Sequence, residues 1–408
     1  MLKKRKILKN RTVLILGASL EQKKIYKLAK LKKFKIIAVD INKRAPCFSF
    51  ADYKIFESIY SPKKIINKLK KLKLKIDGVT TLGADVPFQI YKIANHFNLP
   101  SISFKAGKFA SSKDLMKKNF IIKKIATAKF IIGKNFIDIK KKILDKKIKF
   151  PLVMKPIDSR GSRGVFFIKN NADIKKYVST SLKFSKKNKI ILEKYLPGKQ
   201  ISTEGIFQDG NYIPIGYALR DYKNLKKTLP NFVEDGGTTP AILSLKLKNE
   251  IDILISKASE AINLNFGTVK GDVIIYNNKP FIIEIAARLS GGYFASDIIP
   301  KVYNFNIVNF ALNESMCIKN KKIKQVKPQN VVTQKYIFPK QGSITKIISP
   351  KINKINNKIM LFKKAPFLQQ KITNHTGRLG TVLSFGKTIN KTVREATKIV
   401  KSIKIIFK

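Results

Sequence analysis

The first hundred residues alternate short apolar runs with amphipathic stretches, and that rhythm limits the fold more than any other feature of the chain. "TVLILG" ends in a glycine turn, a polar helical stretch is predicted over Glu21–Lys32, and "KIIAVD" (35–40) is the next apolar run. "SPKKIINKLKKLKL" leads to the strand "DGVTTLG" (77–83), a helix is predicted over Val86–Phe97, and Pro100 reads as opening a further strand. Strands separated by helices in this way pair in parallel, with helices on both faces of an open sheet. Ligands of such sheets sit beyond the C-terminal strand ends, so Gly17 and Gly83-Ala84-Asp85 are expected to border a crevice. Asp85 also suits the N-cap of the helix that follows it, which is the simpler reading.

A dinucleotide is not expected there. The turn Gly17-Ala18-Ser19-Leu20-Glu21 lacks G-x-G-x-x-G, although Asp40 stands about where a ribose-binding acid would. The basic start and short apolar run at the N-terminus mimic a signal peptide. A buried strand over Thr12–Leu16 fits better, because the run is short and a polar helix follows. No stretch reaches the roughly 18 apolar residues of a membrane span.

A chain of 408 residues exceeds one ordinary core, so several domains are expected. Its formal net charge of +59 suggests nucleic acid at first sight. Yet only nine of the 84 basic residues are Arg, the residue that reads base edges bidentately, and the lysines are spread along the whole chain. A solvated basic surface that attracts anions, with no specific nucleic-acid partner, is the expectation. Cys47 and Cys317 stand alone, which argues against a zinc or disulfide framework and fits a reducing cytoplasm. His96 and His375 are the only histidines, so histidine-rich metal catalysis is not expected.

Further along, a helix is predicted from about Ser111, with Ser111 or Ser112 as N-cap. Strands and loops dominate 150–220, a helix is read over Asn249–Ile262, and the tail from Val331 is β-rich before an amphipathic helix over Lys391–Ile403.

Two stretches carry chemistry. In "FPLVMKPIDSRGSRGVFFIK" (150–169) a strand ends on Lys155, followed by a Gly/Ser loop before the next apolar run. G-x-x-x-x-G-K-[ST] is absent, but Gly161, Ser162 and Gly164 can bring backbone N–H groups to an anion, and Ser159 and Ser162 add hydroxyls. Lys155 would supply a fixed positive charge. The bland alternative is an ordinary hairpin loop. In "GTVKGDVIIYNNKPFIIEIAARL" a hairpin with loop Asn277-Asn278-Lys279 would pair 276 with 280, 274 with 282 and 272 with 284. Asp272 and Glu284 then face each other, which is unfavourable unless a cation lies between them. Two carboxylates on rigid strands suit Mg²⁺ completed by phosphate oxygens; the alternative is two surface acids.

Together these pieces resemble the ATP-grasp superfamily of carboxylate–amine ligases, over nearly the whole chain. "SSKDLMKK" resembles the segment carrying the first ATP lysine (Lys113), "PLVMKP" the strand carrying the second (Lys155), and "DSRGSRGV" the mobile loop that closes over the phosphates. "ILEKYLPGKQIS" resembles the hinge strand, "KGDVII" and "IIEIAARLSGG" the metal strands, and "TGRLGTVLSFGKTINKTVREATKIV" the family's C-terminal ending. The resemblance implies α/β and α+β architecture. An N-terminal Rossmann-like pre-ATP-grasp domain would span 1–105, and a two-subdomain ATP-grasp domain 106–325, with its lid about 125–195. A small β-rich C-terminal domain would span 326–408.

It further implies ATP with Mg²⁺ or Mn²⁺. The nucleotide would be held by Lys113, Lys155, Ser159, Gly161, Ser162 and Gly164, with Glu193 and the backbone of Lys194, Tyr195 and Leu196 reading adenine and Gln200 near the ribose. Asp272 and Glu284 would be metal ligands, and Arg288 and Lys155 would act in catalysis. The implied reaction forms an acyl phosphate and ADP from a carboxylate, then joins it to an amine with loss of phosphate. Small-molecule substrates, a cytoplasmic location, no membrane and a homodimer go with it.

Two departures stand out: Gln200 replaces a frequent Glu, and Ala286 replaces the Asn that often helps hold a second Mg²⁺. "EIAARLSGGYFASD" resembles the amino-acid-ligase and carbamoyl-phosphate-synthetase-like branches. The purine-pathway alternatives, an aminoimidazole ribonucleotide carboxylase or formate-dependent glycinamide ribonucleotide transformylase, usually carry Pro-Arg-Pro-His there.

Overall fold

The computed structural model describes residues 11–324 and 326–408. The basic segment 1–10 lies outside the described residues, and the run after it is strand β1 (Thr12–Leu16). With β2 (Lys35–Asp40), β3 (Tyr53–Phe56) and β4 (Gly78–Thr80) it forms a parallel sheet in the order β3-β2-β1-β4. Val13–Leu16 are fully buried. A strand covered on both faces needs an unbroken apolar run, which is why "VLIL" does not alternate. Leu14 and Leu16 pack with Ile65, Leu69 and Ile93 on one side, and Val13 and Ile15 join Ile25, Tyr26 and Phe310 on the other.

Pro100 opens no strand. Residues 100–103 are irregular, and Ser103 starts the helix Phe104–Ala110 by accepting the Ala106 N–H on its Oγ at 3.0 Å. A hydroxyl that satisfies an orphan helix amide outweighs the weak extended preference of the residue after proline. The helix read from Asn249 begins at Leu245 for the same reason: Ser244 Oγ accepts the Leu247 N–H.

A second sheet is antiparallel: β5 (Phe130–Gly133), β6 (Leu152–Pro156), β7 (Phe166–Ile168) and β8 (Ile190–Lys194), in the order β5-β8-β6-β7. Helices Phe136–Asp145 and Asn171–Leu182 share a core with it through Ile139, Ile143, Ile174 and Val178. Then follow β9 (Lys199–Gln208), β10 (Asn211–Asp221), β11 (Gly236–Thr239), β12 (Thr268–Tyr276), β13 (Lys279–Ala286), β14 (Val331–Ile337) and β15 (Gly342–Ile348). The last strands are β16 (Asn357–Leu361), β17 (Phe367–Gln369), β18 (Gly380–Gly386) and β19 (Lys404–Phe407). Eight of them form one sheet, β13-β12-β9-β10-β11-β14-β18-β16, so the tail extends the central sheet; β17-β15-β19 is a separate small sheet. The tail's helix, Ile389–Ser402, packs on β14 and β18. Helices Lys113–Ile122 and Leu245–Ala261 cover the β12/β13 end through Met116, Phe120, Ile251 and Ile255.

The hairpin register differs from the sequence expectation. The turn is the two residues Asn277-Asn278, both at positive φ (49° and 57°), so Tyr276 pairs with Lys279 and Ile274 with Phe281. That geometry is favoured by a two-residue turn whose twist matches its strands. A β-bulge then skips Ile283, and Asp272 pairs with Glu284 after all.

Candidate active site

Lys155 stands next to last in β6, beside β8, where Val153 pairs with Glu193 and Lys155 with Ile191. Strand alternation turns Lys155 and Glu193 to the same side, and the Lys155 ammonium stands 3.0 Å from Glu193 Oε1, without the alignment of a hydrogen bond. Lys117 reaches the other oxygen of Glu193 at 3.5 Å. Lys113 opens the helix after Ser112, one turn before Lys117. Its ammonium donates to the Ser159 carbonyl at 2.9 Å and pairs with Glu284 at 3.3 Å.

Asp272 and Glu284 face each other across the β12/β13 ladder. Asp272 is already engaged: Ser202 Oγ donates to Oδ1 at 2.6 Å, Arg220 Nη2 lies 3.5 Å from it, and Lys270 Nζ contacts Oδ2. Arg220 also pairs with Glu234, whose backbone carbonyl accepts Arg378 Nη2 at 2.8 Å. Charges of alternating sign thus run from β12 to the C-terminal segment.

Arg288 Nε lies 3.3 Å from Asp85 Oδ1, and its Nη1 donates to the Leu289 carbonyl. The N-cap reading of Asp85 is therefore corrected. Val86 is the N-cap of the helix Pro87–His96, and the Asp85 carboxylate turns to the nearer guanidinium instead. Charge pairing of this kind outweighs a single neutral cap bond.

The loop 158–164 reaches three neighbours. Arg160 Nη1 donates to the Asp85 carbonyl at 2.9 Å, and its guanidinium lies 4.2 Å over the Tyr60 ring. The His375 N–H donates to the Gly161 carbonyl at 3.2 Å, and His375 Nε2 is 3.0 Å from Ser162 Oγ. The hinge after β8 runs Lys194-Tyr195-Leu196; the Lys194 and Tyr195 amides are committed to the carbonyls of Lys129 and Pro151.

One cavity of about 730 Å³ takes in Lys113, Lys155, Ser159, Gly161, Ser162, Glu193, Lys194, Tyr195, Leu196, Gln200, Asp272, Glu284 and Arg288. Gly164 is the exception among the sequence candidates. At φ 72° it makes a tight turn against Pro156 and Phe184, where a Cβ would come within 2.9 Å of both. Sequence reading missed Lys117, Glu21, Arg220, Lys270, His375 and Arg378, which also line the cavity. Lys117 was findable at helical i+4 from Lys113, and Lys270 by alternation two residues before Asp272. Nothing local flags the others, which arrive from distant segments.

The electrostatics are those of an anion site. Burial opposes the charge on Lys113, but Glu284 and Asp85 outweigh it and raise its pKa. Burial lowers Lys117 to about 8 despite Glu193. Burial opposes ionisation of Glu284 too, yet Lys113, Lys270, Lys155 and Arg288 hold its carboxyl well below the usual range. Asp272 is likewise lowered, by Lys270 and Arg220 against its burial. Burial and the cations Arg378, Arg220 and Lys270 keep His375 well below 6.5, hence neutral. No cluster of three or more His, Cys, Asp or Glu suited to a metal occurs among the described residues. Asp272 and Glu284 fit only a cation that draws its other ligands from a bound molecule, and hard oxygens with phosphate suit Mg²⁺.

Residues 117–292 match the family described as the ATP-grasp domain, and the chain carries an ATP-grasp domain. An L-amino acid ligase from Bacillus licheniformis is similar in fold at TM-score 0.83 and 16% identity, covering 98% of this chain and 99% of that one. A phosphoribosylglycinamide synthetase from Anaerococcus prevotii gives 0.75 and 20%, covering 98% and 100%. An N5-carboxyaminoimidazole ribonucleotide synthetase from Thermotoga maritima gives 0.72 and 14%, also covering 98% and 100%.

Proposed function

We propose that this chain is an ATP-dependent, ADP-forming C–N ligase that activates a carboxylate as its acyl phosphate and passes it to an amine. The observation that carries the reading is the convergence of Lys113, Lys155, Asp272, Glu284 and Arg288 on one cavity. Phosphoryl transfer asks a protein mainly for alignment and charge compensation, and this set supplies both. A carboxylate oxygen bonds the γ-phosphorus as the β–γ bridge breaks and ADP leaves. The amine nitrogen then bonds the acyl carbon, the bond to phosphate breaks, and the amine gives up a proton.

Lys113 and Lys155 hold phosphate oxygens. Arg288 offers a planar fork to the transferred group or the tetrahedral oxyanion. Asp272 and Glu284 are the carboxylates that would hold Mg²⁺ or Mn²⁺, which would supply Lewis-acid charge to the phosphates. Glu193, the hinge 194–196 and Gln200 take the nucleoside, and the loop 158–164, with Ser159, Gly161 and Ser162, excludes water from a hydrolysable intermediate. The substrates are small molecules, and Arg220, Glu234 and Arg378 line the same cavity. A cytoplasmic location and a homodimer belong to the same proposal; light scattering tests the dimer.

The test is a screen of carboxylates against amines for ADP and phosphate release. Lys155→Ala and Glu284→Ala are expected to abolish ATP turnover while the circular dichroism spectrum is kept; turnover retained in either would refute the assignment. The full-length likeness to an N5-carboxyaminoimidazole ribonucleotide synthetase favours one second reading, a purine-pathway carboxylation. ADP formation dependent on aminoimidazole ribonucleotide and bicarbonate would select it.

A further inference from the structure

Lys270 has no place in the reading above, and its position is unusual. It is 7% exposed, on the cavity side of β12, between β9 and β13. A buried ammonium is costly unless it is paired, so its retention needs a reason. Its neighbours in register are Glu204 on β9 and Ala286 on β13. Both oxygens of Glu204 already accept the Ser290 N–H, at 3.1 and 3.3 Å. On the other side Ala286 presents only a methyl, which leaves the space above the ladder to the long lysine. The ammonium runs two residues along its own strand to Asp272 Oδ2.

The two carboxylates are consequently unequal. Asp272 has one oxygen on Lys270 and the other on Ser202 and Arg220, and its side chain is 8% exposed. Glu284 is 29% exposed, and among the described residues its one ion pair is with Lys113. Mg²⁺ needs a near-ideal octahedron of oxygens and gives up its waters reluctantly. One divalent ion can join the phosphates to Glu284. A second, seated on Asp272, would have to displace an ammonium that the fold itself delivers.

We infer that Lys270 is a resident cation of the phosphate clamp, doing the work of a second divalent ion, so that the chain binds its nucleoside triphosphate with a single Mg²⁺. The inference rests on the nucleotide reading above and narrows its metal ligands to Glu284, with Asp272 held by Lys270. Lysine suits the role because its ammonium is a compact point charge with three donors, able to hold Asp272 and a phosphate oxygen together.

The experiment titrates Mn²⁺ into the intact protein saturated with the non-hydrolysable β,γ-imido analogue of ATP, with free Mn²⁺ read by its electron paramagnetic resonance. The wild type is expected to bind a single Mn²⁺ per analogue. Lys270→Met, similar in shape but neutral, is expected to bind a second and to bind the analogue about tenfold more weakly at low Mn²⁺, a loss recovered at high Mn²⁺. Lys270→Arg keeps the charge and is expected to retain single-ion binding, which keeps the test open if the Met variant fails to fold. A second Mn²⁺ on the wild type, or on the Arg variant, overturns the inference. So does a Met variant that matches the wild type in both ion count and affinity. If the analogue does not bind the wild type at any Mn²⁺ concentration, the nucleotide reading itself falls.

Discussion

Glu193 shows how one buried carboxylate organises several cations. It is 5% exposed, with Lys155 and Lys117 on its two oxygens, and those charges hold its pKa down against the burial. Glu193→Gln leaves two buried ammonium groups facing a neutral amide. Removing one partner from a buried ionic cluster costs about 3–5 kcal/mol, and a urea melt should show a loss of that size. Glu204 behaves oppositely. It is fully buried, and burial raises its pKa to about 7, against the Ser290 hydrogen bonds and the charges of Arg288 and Lys270. The folded state therefore keeps a proton that the unfolded chain releases from about pH 4.5 upward. Stability should fall as pH rises from about 4.5 to 7 and level off above, by on the order of 3 kcal/mol. Glu204→Gln should flatten that part of the denaturation-midpoint profile; an unchanged slope would show that Glu204 ionises freely. Asp272 and Glu284 were legible in the sequence from the alternation of a hairpin, Lys155 from its place between a strand and a Gly/Ser loop, and Arg288 only through the family resemblance. Arg378 and His375 were not, because their neighbours come from segments far away in the chain.

Among the elements, the β12/β13 hairpin shows why a correct facing pair can follow from an incorrect register. The sequence suggested a three-residue loop, whereas the chain makes a two-residue turn, and the bulge at Ile283 shifts the pairing back by the residue the turn removed. Periodicity locates strands; a bulge lies in backbone detail that it does not encode. The loop 158–164 is an element whose ties were equally hidden. Arg160 on Tyr60 and Asp85, and Gly161 and Ser162 on His375, join it to the N-terminal and C-terminal segments at once. His375→Ala should free one end. Trypsin should then cleave faster at Arg160 or Arg163, and, on the ligase reading, ADP formed without ligated product should rise as water reaches the acyl phosphate. Tyr60→Ala should do the same from the other side. Unchanged cleavage in both variants would mean that the loop stays closed without these contacts.

For the molecule as a whole the deciding quantity is charge. With 84 basic and 25 acidic residues, most ammonium groups have no acidic partner to pair with. Ion pairs such as Lys155–Glu193 and Lys117–Glu193 are buried, where salt screens little, while the surplus lysines face water and repel one another. Screening length falls from about 30 Å at 0.01 M salt to about 8 Å at 0.15 M, so added salt removes repulsion faster than it weakens those pairs. The melting temperature should therefore rise between these two salt concentrations, and sulfate or phosphate should raise it further than chloride because the cavity itself collects anions. A nucleic-acid-binding protein on the same scaffold would instead show tight polyanion binding with a steep, focused salt slope and no ADP formation. Here the positive surface is diffuse, so RNA or DNA binding should be weak, vanish near physiological salt, and change little when a single lysine outside the cavity, such as Lys71, is replaced. A melting temperature that fell with salt would mean that exposed ion pairs, rather than buried ones, hold the fold together.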